Sequence, residues 1–475
     1  MFALGGVSDH PAKPGNLVRE NPEQQAPPTC EQFFPCLDDT ALTHRRRLNP
    51  LSMHCNSSRS PSKIFRHAEH QDMITETTSA SRLRDIPRGV WMLGFVSMFM
   101  DISSEMIHAL LPIYLVGVLG ASALTVGLIE GVAEATAMIT KIFSGAFSDR
   151  LGKRKTLAAF GYGLAAFTKP IFPLATSVGW LTAARFIDRV GKGIRGAPRD
   201  ALVADLSPAH VRGASFGLRQ SLDTVGAFLG PVAALGLMAV TADNFTVVFW
   251  LAVIPAFLAF GLILFGVEDA AAKGEETAKP RLQVADIKCF RFAFWAVVTV
   301  ATILTLARFS EAFLLLRAQS IGLPTAFVPA VLVVMNIAYA LSAYPAGTIS
   351  DRAGRTAVLA VGIGLLVVAD LILALGGTIA AVMLGVVFWG LHMGFTQGLL
   401  ATLVADTAPA GLRGTAFGVF NLTGGIGMLV ASVLAGALWD NYGPATTFLA
   451  GAIFTIVALA GFLILWRHAL QGQIG

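Results

Sequence analysis

Residues 201–218 read ALVADLSPAHVRGASFGL, and residues 402–418 read TLVADTAPAGLRGTAFG. Asp205 falls on Asp406, Arg212 on Arg413 and Phe216 on Phe417. Earlier in each copy stands a second matched pair, GAFSDRLGKRK from Gly145 and AGTISDRAGR from Ala346. It places Asp149 on Asp351 and Arg150 on Arg352. The two separations nearly agree, so one unit of about two hundred residues occurs twice. Whatever the chain folds into must be built from two similar halves.

Those halves are apolar. Hydrophobic residues make up 54% of the chain and charged residues only 14%. A soluble domain carries about 25% charged residues. Crossing the hydrocarbon takes about 20 apolar residues per helix. Twelve such stretches are expected, at about 90–118, 123–148, 156–176, 178–206, 214–240, 245–267, 290–318, 325–350, 356–376, 378–407, 414–438 and 445–467. The expected fold is all-α and integral to the membrane, with twelve transmembrane helices in two pseudo-symmetric six-helix bundles. Lys and Arg collect in alternate loops, among them Arg150, Lys153, Arg154 and Lys155, then Arg212, then Arg352 and Arg355. The intervening connections near 120, 177, 243, 322, 377 and 441 carry neither residue. The basic loops and both termini are therefore expected in the cytoplasm, at the bacterial inner membrane. The net charge of +5 reflects this scatter of short basic loops and does not indicate nucleic-acid binding.

The expected organisation is an extension at 1–87, a first bundle at 88–267, a polar cytoplasmic linker at 268–288, a second bundle at 289–467 and a short tail at 468–475. Residues 1–72 hold eight of the 22 Pro and three of the four Cys, with no apolar periodicity, and are expected to be disordered. A second reading starts the natural chain at Met73, which opens a short polar lead into the first helix. The spacing of Cys30 and Cys36 fits no specific metal-ligand pattern. No metal and no cofactor are expected.

GAFSDRLGKRK, with its degenerate second copy, resembles the signature loop of the major facilitator superfamily. The resemblance covers about 88–467. It implies a secondary transporter working by alternating access, with Asp149 latching the cytoplasmic gate. Arg150, Asp205, Arg212, Asp351, Arg352, Asp406 and Arg413 are the further gating candidates. Gly217, Gly226, Gly230 and Pro231 resemble the antiporter motif of drug–proton exporters in that superfamily, although Ala233 and Ala234 replace its following Gly-Gly. Small residues in membrane helices also mark close packing, so the four are helix-packing candidates as well.

Charges inside the spans are costly and mark function by default. Asp101, Glu105 and His108 lie on one stripe of span 1. Glu130, Glu134 and Lys141 share a stripe of span 2; Arg185, Asp188, Arg189 and Lys192 share one on span 4. Arg185 and Asp188 read as a fixed pair. Span 7 carries Arg308 and Glu311, placed in its outer half. The proton-coupling candidates are Glu105, then Asp101 and Glu134. The substrate-binding candidates are Arg189, Lys192, Arg308 and Glu311. A lone His392 among apolar residues reads as a hydrogen-bonded core residue.

The sequence thus points to a proton-coupled exporter of small organic molecules, with the cationic stripe of span 4 favouring an anionic substrate. Its expected partners are the lipid bilayer, a small-molecule substrate and protons, and it is expected to act as a monomer. Two alternatives stay open: a divalent-metal exporter using Asp101, Glu105 and His108, and a non-transporting sensor or scaffold on the same fold. An enzyme is not expected, because no nucleophile–base pair or zinc-ligand spacing occurs.

Overall fold

The computed structural model describes residues 85–151, 153–268, 290–409 and 412–471. The extension at 1–72 and nearly all of the 268–288 linker lie outside the described residues. Among the described residues all regular structure is helical. The first half comprises α1 (Arg88–His108), α2 (Ala123–Leu151), α3 (Arg154–Thr168), α4 (Val178–Leu206), α5 (Arg212–Val240) and α6 (Phe245–Gly266). The second comprises α7 (Phe292–Ala307), α8 (Ala330–Ala353), α9 (Arg355–Leu375), α10 (Ile379–Thr407), α11 (Arg413–Tyr442) and α12 (Pro444–Gln471).

The duplication in sequence is a duplication in packing. In the first half α1 packs on α5 and α6, α2 on α4, and α3 on α4 and α6. In the second, α7 packs on α11 and α12, α8 on α10, and α9 on α10 and α12. The chain is therefore two pseudo-symmetric six-helix bundles.

Eleven helices among the described residues are long and apolar enough to cross a membrane. Helix α4 is long enough, at 29 residues, but it carries Arg185, Asp188, Arg189, Lys192, Arg195 and Arg199. It lies between α2 and α3, where partners from neighbouring helices can meet those charges. Its polarity is turned inward, away from lipid.

Both bundles open with an interrupted helix. Helix α1 stops at His108 and resumes as a short turn at Leu111–Ile113 and a π-helical turn at Tyr114–Val118. Helix α7 stops at Ala307 and resumes at Ala312–Ser320. The stretches expected at 90–118 and 290–318 are each one span in the structure, Arg88–Val118 and Phe292–Ser320, with a break inside that the sequence did not announce. The break in α7 is held by side chains rather than by Pro or Gly. Ser432 Oγ accepts the Ser310 backbone N–H at 3.2 Å, and Ser310 Oγ accepts that of Ala312 at 3.3 Å. Irregular backbone at membrane depth survives only where protein satisfies it or where it lines a cavity.

The bundles meet along α2 with α11 and along α5 with α8. A Cβ added to Gly127 would meet the Ser432 carbonyl oxygen at 2.1 Å, and one on Gly436 would meet that of Ala123 at 2.5 Å. Small residues let these backbones approach, which is how membrane helices associate when apolar burial gives no advantage over lipid. At the end of this seam the Asp440 carboxylate accepts the backbone N–H groups of Ala123 and Leu124 at 3.0 and 2.9 Å. An acidic group there satisfies donors that the helix start leaves open. This end is opposite the one where α2 runs into the basic loop. Asp440→Ala is expected to shift the closed-to-open balance of this end by about two- to thirtyfold, the weight of one helix cap. Cysteine accessibility at the seam checks it, and unchanged accessibility would remove Asp440 from the closure.

Candidate functional site

A cavity of about 270 Å³ lies where the bundles meet. Helix α1 contributes Glu105 and His108; α2 contributes Glu130, Glu134 and Met138; α4 contributes Arg189 and Lys192. The break of α7 contributes Arg308, Phe309, Ser310 and Glu311, and α10 and α11 add Trp389 and Met428. A second, more apolar cavity of about 240 Å³ shares Met138, Arg308 and Met428 and continues towards the basic end past Leu304, Leu400, Phe420 and Asn421. The two cavities adjoin through Met138, Arg308 and Met428.

Behind the cavity wall the first bundle holds a buried ladder of ion pairs. Arg185 donates to Glu130 at 2.7 Å and to His108 Nδ1 at 2.8 Å, with both Arg185 and Glu130 1% exposed. A guanidinium has only donors, so the His108 ring accepts through Nδ1. One turn on, Asp188 pairs with Lys169 at 2.9 Å, and Lys169 also donates to Ser104 Oγ at 3.0 Å. Arg185 and Asp188 are thus not each other's partners. Each is met by an opposite charge from another helix, Arg185 by Glu130 on α2 and Asp188 by Lys169 at the end of α3. Arg189 pairs with Glu134 at 3.2 Å. Towards the basic end Arg195 lies 3.9 Å from Asp101 and stacks over the Tyr162 ring at 4.9 Å. Beyond it Arg199, Asp200, Arg219 and Asp223 form a network, with Lys141 at its edge.

Four cavity-lining groups stand outside this ladder. Among the described residues no hydrogen bond or ion pair engages the side chain of Glu105, Lys192, Arg308 or Glu311. Each is at least partly accessible from the cavity. The structure therefore brings together Glu105, Glu134, Arg189, Lys192, Arg308 and Glu311, and sets Asp101 below them beside Arg195. Of the three stripe residues of α1, Glu105 and His108 line the cavity and Asp101 does not, and among the described residues no group of three His, Cys, Asp or Glu side chains could hold a metal ion.

Lys169 and Trp389 were missed in the sequence. Lys169 sits at the end of α3 before Pro170, where it reads as an ordinary end-of-helix cation. Trp389 is one apolar residue in a long apolar helix, and nothing local singles it out. Arg317, by contrast, has a structural task. It donates to the carbonyl oxygens of Leu373 and Gly376 at 2.8 and 2.9 Å, closing the end of α9. His392 is buried and donates to or accepts from no cavity group; its Nδ1 lies 2.8 Å from the Gly362 carbonyl oxygen.

The gating candidates lie at the basic end. Asp149, Arg150 and Asp351 fall in the last turns of α2 and α8, with side chains outside the described part. Arg352, Arg212 and Arg413 are exposed. Asp205 pairs with Arg154, and Asp406 pairs with Arg355. Each pair ties the start of one helix to the end of the next, α3 to α4 and α9 to α10, and each spans 51 residues.

Helix α5 lies close against α1 at two of its motif glycines. A Cβ on Gly226 would meet the Met98 carbonyl oxygen at 2.5 Å; one on Gly230 would meet Glu105 Cβ at 2.6 Å and the Ile102 carbonyl oxygen at 2.9 Å. Gly217 has open space, and Pro231 follows Gly230 inside the helix. Gly230→Ala is expected to cost about 1–3 kcal/mol through overpacking. It should also displace Glu105, whereas Gly217→Ala should be silent. Thermal unfolding of the two variants checks this, and equal behaviour would contradict it.

Comparison with known proteins decides the family. The family model for the Major Facilitator Superfamily matches residues 93–431 and 292–472. The chain belongs to the Major Facilitator Superfamily. An uncharacterised MFS-type transporter of Methanocaldococcus jannaschii is 31% identical over 391 residues, which is 81% of this chain and 96% of that protein. The quinolone resistance protein NorA of Staphylococcus aureus is 24% identical over 49% of this chain and 59% of its own length. The crystal structure of the nucleoside transporter NupG matches with a TM-score of 0.68 at 15% identity, over 80% of this chain and 100% of that one, a likeness of fold. This chain is accordingly a multi-pass membrane transporter of that superfamily.

Proposed function

We propose that this member of the superfamily exports small organic molecules from the cytoplasm in exchange for protons, as a monomer in the bacterial inner membrane, with both termini cytoplasmic. The observation that carries the reading is the charged cavity at the two helix breaks, with Glu105 at the end of α1 and outside every ion pair. Broken helices near mid-membrane are where transporters of this architecture place substrate and coupling ions. A carboxylate there, not committed to a fixed cation, can exchange a proton as its access to water changes. Glu105 is the proton carrier in this account, and Asp101 and Glu134 modulate it. Arg189, Lys192, Arg308 and Glu311 face the substrate.

Two features describe the conformational state of the structure, and the export direction itself rests on the likeness to a drug-resistance protein. The adjoining cavity continues towards the basic end, which the distribution of Lys and Arg assigns to the cytoplasm. The close contacts of α2 with α11 seal the other end. The Arg154–Asp205 and Arg355–Asp406 pairs hold the cytoplasmic helix ends within each bundle, and with Asp149 they form the gate. Likeness to a quinolone resistance protein agrees with export of organic compounds.

The test compares cells expressing the protein with vector controls, against a panel of organic antibacterials and dyes and a panel of divalent metal salts. Protection against a subset of the organic compounds is expected. Protection against metal salts alone would overturn the reading in favour of metal export, and protection against neither panel would favour a sensor or scaffold.

A further inference from the structure

The pairing pattern says more about the substrate than the number of cations on α4 does. Three of the α4 charges are neutralised within the bundle: Arg185 by Glu130, Asp188 by Lys169 and Arg189 by Glu134. The charges left over at the cavity are two cations, Lys192 and Arg308, and two carboxylates, Glu105 and Glu311. They come from both bundles, Glu105 and Lys192 from the first and Arg308 and Glu311 from the break of α7. We propose that this cavity takes a zwitterionic organic molecule, one bearing an amine and a carboxylate on an apolar, aromatic body. The proposal rests on the reading of the cavity as the substrate site and replaces the anionic substrate that the bare stripe favoured.

The physical argument is one of compensation. A charge in a site shielded from water is costly until an opposite charge or a hydrogen bond meets it. Arg308 and Lys192 act on Glu311 without contacting it, so a purely anionic substrate would draw both cations to itself and leave the carboxylates with less compensation. A purely cationic one would do the reverse. A zwitterion meets both sets. When Glu105 holds a proton, Glu311 still faces the amine and the two cations still face the carboxylate. The wall behind these charges is apolar and aromatic, with the edges of Phe309 and Trp389, which pack on each other, reaching the cavity. The adjoining apolar chamber gives the body of the molecule room to extend. A carboxylate on Lys192 and an amine on Glu311 would also bridge the two bundles, so that binding draws α4 and α7 together. That is the differential contact a ligand must make to shift a conformational equilibrium.

The test uses ε-dansyl-lysine, an aromatic zwitterion, with its methyl ester as the cation and its α-N-acetyl derivative as the anion. Binding to the purified full-length protein in lipid nanodiscs is read by dansyl fluorescence. The zwitterion is expected to bind about tenfold more tightly than either derivative, the effect of one lost charge-assisted hydrogen bond. Lys192→Ala should weaken the zwitterion and the anion but spare the cation. Glu311→Gln should weaken the zwitterion and the cation but spare the anion. Lys192→Arg should restore binding, which separates recognition of charge from damage to the fold. If the anion or the cation binds most tightly and the variants still alter it, the cavity is the substrate site and the zwitterion class is wrong. If wild-type protein binds the probes and neither variant changes any of the three affinities, the cavity itself is not the site. Absence of binding by all three forms counts against the proposed class.

Discussion

Arg185→Ala is expected to cost about 3–5 kcal/mol, because it strands a carboxylate in the interior. Glu130 is 1% exposed, and Arg185 is its close partner at 2.7 Å. His108 alone, 3.6 Å from Glu130, cannot replace a guanidinium that donates to both. Since a folded domain holds only about 5–15 kcal/mol of net stability, the variant should express poorly and unfold well below the wild-type temperature. The double variant Arg185→Met with Glu130→Leu should recover much of the loss, since apolar residues of similar volume replace a buried pair at little cost. Lys192→Ala, two turns along the same helix but facing the cavity, should unfold within about 0.5 kcal/mol of wild type. Thermal unfolding of the three proteins in detergent, followed by tryptophan fluorescence, separates them. Equal unfolding temperatures for Arg185→Ala and Lys192→Ala would contradict the division between ladder and cavity.

The second large effect belongs to Glu105→Gln. Glutamine keeps the size and the hydrogen bonding of the side chain but cannot gain or lose a proton. The variant is expected to bind substrate and to exchange it across the membrane, while uphill transport driven by pH is lost, as expected when the proposed proton carrier is removed. Its fold should be untouched, because Glu105 makes no ion pair whose loss would strand a partner among the described residues. Counterflow and pH-driven uptake measured on one preparation of proteoliposomes distinguish the two activities. Wild-type uphill transport in Glu105→Gln would transfer the carrier role to Asp101, one turn away on α1 and beside Arg195.

The duplicated passages carried the fold a long way. Twelve apolar stretches and two repeated loop motifs predict two six-helix bundles, and the helix bounds lie within a few residues of those stretches. The cavity was only half legible. Charge spacing put Glu105, Glu134, Arg189 and Lys192 on common stripes of their helices and set Arg308 three residues from Glu311, because helical periodicity is local. It could not say which charges cancel, because cancellation depends on which helices face each other. Arg185 and Asp188 stand three residues apart and read as a pair, yet each is taken by a partner at least 19 residues away in sequence, on another helix. The break in α7 left no trace either. Its determinant is Ser432, 122 residues away on α11, which caps an amide that no neighbouring residue could satisfy. The small residues of α5 were legible as a motif but ambiguous in purpose, and the contact of Gly230 with Glu105 joins close packing to the candidate coupling site.

The most direct test of proton-coupled export is transport into inside-out membrane vesicles, using a compound against which expression protects cells. An acid-inside pH gradient is imposed with the membrane potential clamped. The account predicts that the compound accumulates in the vesicle lumen above its outside concentration, that the lumen becomes less acid as it does so, and that a protonophore abolishes both. Accumulation that is indifferent to the pH gradient, or movement of the compound only down its own gradient, would contradict it.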